Sequence, residues 1–167
     1  MALGAEPSSP SAFAQPPLGR HLVDRFLLFR AFVVLGLTES VIEMITFLAA
    51  LSFAGWRTGL PFPTGIPFMA ASGAAFTAVV AGQMANAFAC RSAMLWPGKL
   101  GWFSNRYLAL AILCEAGMLA GFLYIQPLAK LLGQAPPNKI GYLTALLAIP
   151  AVLVADMAQK RWKHHRS

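Results

Sequence analysis

Charge is scarce in this chain, and acidic charge is scarcest. Of 167 residues 11% are charged, and only six are acidic: Glu6, Asp24, Glu39, Glu43, Glu115 and Asp156. A soluble domain carries about 25% charged residues. The deficit leaves too few polar side chains to cover a globule of this size in water, which argues against a soluble fold. Cysteine is thin as well. Cys90 and Cys114 have no close spacing, and with His21, His164 and His165 they form neither a CxxC nor an HExxH pattern. The GxxxxGK[ST] loop of Walker-type nucleotide sites does not occur, and Ser, His and acidic residues are scattered without a nucleophile motif. No catalytic residue and no cofactor are therefore expected. Residues 1–25 lack the basic start, apolar middle and small-residue cleavage site of a signal peptide; rich in Pro and Ser, they read as a disordered leader.

What the chain has in excess is apolar length. Hydrophobic residues make up 57% and the mean hydropathy is +0.61. Four apolar stretches stand at about 31–53, 67–88, 107–125 and 140–156. Each approaches the roughly 20 residues that cross a bilayer as a helix. No alternating ten-residue pattern recurs, so a membrane barrel is not expected. Pro150 lies within the fourth stretch, where neighbouring helices can satisfy the freed carbonyl. The expected architecture is an all-α integral membrane protein: a four-transmembrane-helix bundle over 26–160, with a basic tail at 161–167.

Basic residues set the orientation. Arg20, Arg25, Arg30, Arg91, Lys99, Arg106, Lys160, Arg161, Lys163 and Arg166 fall on one side, against Arg57, Lys130 and Lys139 on the other. The positive-inside rule then places both termini in the cytoplasm. Trp56, Trp96, Trp102, Tyr107, Tyr124, Tyr142 and Trp162 stand at or near span ends, where interfacial aromatics collect. The net charge of +7 thus reports orientation, and no nucleic-acid partner is expected; membrane lipid is.

Polar residues inside the spans carry what chemistry there is. Glu39 and Glu43 are one helical turn apart and share a face. Two acids at mid-membrane cost about 5–7 kcal/mol on the insertion scale, and the twelve Leu, Val, Ile and Phe residues of that span return roughly 4–7 kcal/mol. With the balance near zero, this helix should face protein or hold its carboxyls neutral. Two readings stand: a proton or cation site, or hydrogen-bonded carboxyls that lock helices together. Gln83 and Asn86, three apart, can offer amide oxygens to a hard cation or bond to a neighbouring helix. Small residues crowd the second span from Ala71 to Ala85. Gly117 and Gly121 form a GxxxG in the third, which predicts close helix contact there, with Glu115 facing the bundle. Asp156 and Lys160, four apart, read as an interfacial ion pair.

A series of runs resembles the C-terminal transmembrane domain, the last four helices, of bacterial P-type cation-transporting ATPases. Ala2-Leu3-Gly4-Ala5-Glu6-Pro7 looks like the exit of the family's sixth helix, and Pro16-Pro17 like the loop after it. Arg30-Ala31 with Gly36 and Glu39 is similar to the seventh helix, and Gln83 through Ser92 to the eighth. Phe103-Ser104-Asn105-Arg106, Leu132-Gly133-Gln134-Ala135-Pro136 and Asp156 with Lys160 resemble the segments that follow. The resemblance implies a membrane support domain that contributes to cation transport only with a separate catalytic core. That core would carry the family's DKTGT and TGES motifs, neither of which occurs in these 167 residues. It also implies that the eighth-helix cation position, a Glu in calcium pumps, is Gln83 here. Rival readings are a small autonomous proton-coupled transporter using Glu39 or Glu43, and a non-transporting scaffold or remnant.

Overall fold

The computed structural model describes residues 25–91, 98 and 104–164, all of whose regular elements are helical. The leader, with the Ala2–Pro7 and Pro16-Pro17 runs, lies outside the described residues, as do Trp96, Lys99, Trp102 and 165–167. In chain order the elements are α1 (Arg25–Leu28), a π-helical stretch (Phe29–Gly36), α2 (Leu37–Phe53), α3 (Ile66–Ala89), α4 (Arg106–Tyr124), α5 (Gln126–Leu131), α6 (Lys139–Leu146) and α7 (Ala148–His164). Four helices are long and apolar enough to cross a membrane: Phe29–Phe53, Ile66–Ala89, Arg106–Tyr124 and Lys139–Trp162. Four such helices were expected, and the fourth, Lys139–Trp162, includes late polar residues, Asp156 and Gln159, that are buried.

The first span is continuous, but its opening third has a wider turn. Within it Arg30 and Leu35 are buried, while Phe29, Ala31, Phe32 and Val33 are exposed. The five-residue spacing of the buried pair suits i→i+5 hydrogen bonding. The fourth span breaks once, at Leu147. Pro150 has no N–H to return to the preceding turn. The Leu147 amide instead bonds to the Thr144 carbonyl at 3.1 Å, and regular bonding resumes from Ala151 to Leu147 at 3.1 Å.

α3 forms the centre, packed by α2, α6 and α7, with α4 on its flank. Ala71, Ala74, Ala78, Ala81, Ala85 and Ala89 are all buried, and side chains this small let helix backbones approach closely. Gly73 is the extreme case. A Cβ there would stand 2.1 Å from the Ala135 carbonyl oxygen, where the loop before α6 lies against α3 through an Ala135 N–H to Met69 carbonyl bond of 3.0 Å. That loop also supplies Asn138. Its Oδ1 accepts from Gly141 N–H at 2.7 Å, capping α6, and its Nδ2 donates to the Ala50 carbonyl at 2.9 Å near the end of α2. One side chain thus satisfies the open ends of two helices.

The outer surface is apolar. Phe32, Leu113 and Leu131 are 74%, 69% and 81% exposed. Withdrawing such a side chain from water is worth about 1.5–3 kcal/mol, and lipid supplies that environment. α4 is the most peripheral span: 11% of its apolar window is buried, against 50% for α3. Its links to the bundle include Phe122 beside Phe76, with ring centroids 6.1 Å apart, and a 2.7 Å hydroxyl contact between Tyr124 and Tyr142.

Candidate functional site

Two polar clusters lie within the bundle. The first joins three spans at the end where α1 begins and α7 finishes. Asp156 on α7 is fully buried and pairs with both Arg30 of the π-helical stretch and Lys160, the latter at 2.6 Å. Both cations also donate to the Ala89 carbonyl at the end of α3, Arg30 at 3.2 Å and Lys160 at 3.1 Å. The charges nearly balance. Two cations face one carboxylate and the partial negative charge at a helix C-terminus. The Asp156–Lys160 pair expected at the interface is present, but it is enclosed in the protein and shared with Arg30, which corrects the interfacial reading. Helical spacing reveals an i,i+4 pair; it does not reveal a partner 126 residues away. The sequence signal was Arg30 itself, a basic residue at the edge of an apolar run.

The second cluster lies deeper. Glu39 is buried on α2 and its Oε2 accepts a 2.8 Å hydrogen bond from Gln83 Nε2 on α3. Gly82, next to Gln83, makes room for it: a Cβ at that position would be 3.2 Å from Glu39 Cγ. Glu39 Oε1 has no hydrogen-bond partner among the described residues, nor does the Thr46 hydroxyl two turns further along α2, where Thr46 is fully buried. Glu43, between them, is half-buried.

Gln83 and Asn86 do not converge on a common point through their hydrogen bonds. Gln83 reaches across to α2 from an exposed position, while Asn86 Oδ1 accepts from Cys90 Sγ at 3.5 Å along its own helix. Glu115 is half-buried on the side of α4 that carries buried Leu108 and Leu123. The GxxxG expectation is corrected within this chain. Among the described residues nothing lies within 4 Å of a Cβ built on Gly117, and only Ile125 of the following turn, at 3.6 Å, near one on Gly121. The close interhelical approaches occur instead at Gly73, Gly82 and Gly141. The GxxxG spacing identifies a smooth helix face but not whether a neighbour covers it. Among the described residues no three His, Cys, Asp or Glu gather into a metal-binding group.

An apolar-surfaced bundle of four membrane-length helices, with carboxyls held inside it, defines a multi-pass membrane domain. Its particular kind follows from the family model for the C-terminus of cation transporting ATPases, which matches residues 1–162; the chain belongs to this family. The domain is the membrane-embedded C-terminal part of P-type ATPases, with membrane and cation-transport roles. A search of curated proteins finds no match.

Proposed function

We propose that this chain supports a cation pump in the cell (inner or plasma) membrane, with both termini cytoplasmic, and contributes to transport only together with a catalytic core on a separate polypeptide. The observation that carries the reading is the family match over 1–162, a stretch that includes all four membrane-length helices. The orientation follows from Arg25, Arg30, Arg91, Arg106, Lys160 and Arg161, which gather at one end of the bundle, with Arg57, Lys130 and Lys139 at the other. The partners are lipid, the P-type core and an inorganic cation. Gln83 and Asn86 serve the cation path as neutral oxygen donors, which suits a supporting position better than a principal one. The exposure of Gln83 on a membrane helix supports this, because an amide facing lipid is costly unless another helix meets it. The test is ATP-driven cation uptake by inside-out membrane vesicles from the native cell, with and without the chain. Loss of uptake on deletion and its return on re-expression are expected. Undiminished uptake of every cation tried would contradict the proposal.

A further inference from the structure

The Glu39 carboxyl has half of its hydrogen bonding unaccounted for. One oxygen is held by the Gln83 amide, and the other is buried without a partner among the described residues. Glu43 follows one turn on along α2, and the buried Thr46 hydroxyl, unpartnered among the described residues, follows next on the same face. Among the described residues Glu39 and Glu43 have no ion pair. The charged groups of the packed elements are engaged elsewhere or distant. Arg30 and Lys160 are each bound to Asp156 and to the Ala89 carbonyl. Cys90 closes the same end of α3. Lys139 is exposed at the start of α6, and Tyr142 there bonds to Tyr124. A bare pair of carboxylates in this interior would cost several kcal/mol per ion. The absence of a side chain at Gly82 leaves the carboxyl its space beside α3.

We propose that Glu39, held by Gln83 and backed by Glu43, binds a single monovalent cation, a proton or a sodium ion, within the membrane. One positive charge satisfies the open Oε1 and removes half the charge of the carboxyl pair. A proton would do so as the hydroxyl of the neutral acid; sodium would do so by coordination to oxygen. The site belongs to this chain alone and does not depend on assembly with a core, so it can stand or fall independently of the pump reading.

The test uses the full chain in lipid nanodiscs and a hydrophobic carbodiimide, which adds to protonated membrane carboxyls. Labelled residues are located by peptide mass spectrometry. Labelling of Glu39 that slows as pH rises, with no effect of sodium over choline, supports a proton. Labelling slowed further by sodium, but not by choline, supports a sodium ion that competes with the proton. Glu39→Gln should abolish the label at this position, and Gln83→Leu should change its pH or sodium dependence. Infrared difference spectra, with Glu39→Gln as the blank, read the same carboxyl without requiring reagent access. If neither method shows a Glu39 signal that responds to pH or sodium, the proposal is overturned.

Discussion

At the scale of single residues, Asp156 is the most consequential side chain in the bundle. It is fully buried and faces two cations. Removing one member of a buried ion pair typically costs about 3–5 kcal/mol, largely through the charge left behind. The three members are not equivalent. Asp156→Asn leaves both Arg30 and Lys160 without their carboxylate, whereas Arg30→Met or Lys160→Met leaves a one-to-one pair. Thermal unfolding in detergent should therefore show the largest loss for Asp156→Asn, about 3 kcal/mol or more, and a smaller loss for either cation variant. An Arg30→Met loss equal to or above that of Asp156→Asn would contradict this charge balance.

At the scale of elements, the tight contacts lie at Gly73, Gly82 and Gly141, and not where the GxxxG spacing placed them. Gly73→Ala puts a methyl group into the Ala135 carbonyl, so helix or loop must shift; overpacking of this kind costs about 1–3 kcal/mol. Gly117→Leu, by contrast, meets open space, and the chain alone should unfold at an unchanged temperature. Parallel melting curves of the two variants check both statements, and a destabilised Gly117→Leu would mean that a neighbour covers that face. The four spans were legible because about 20 apolar residues in sequence permit little else in a bilayer. The small-residue crowding from Ala71 to Ala85 likewise marked α3 as a helix approached closely. Two features were not legible. The π-helical turn departs from the 3.6-residue period on which face assignments rest, so the inward turn of Arg30 could not be read. The Glu39–Gln83 bond joins two positions 44 residues apart, and each residue's own helix offers only its type. Both residues stand out by type within their spans, but their pairing needs the packing of α2 on α3.

At the scale of the whole molecule, the chain is a membrane bundle of the family that ends cation pumps, with α3 enclosed and α4 left largely bare. Its low charge content is not merely a membrane signature. Asp156 is balanced inside the chain, while Glu39 retains an open oxygen and exposed Gln83 stands on the face available to another helix. A membrane domain with an uncovered span and an exposed amide has surface for a partner in the same membrane. The most direct measurement is affinity purification of the tagged chain from its native membrane in mild detergent, with mass spectrometry of what accompanies it. The account predicts a P-type polypeptide bearing the phosphorylation and ATP-binding domains, recovered in stable proportion to the chain. Recovery of the intact, folded chain with no such polypeptide would contradict it.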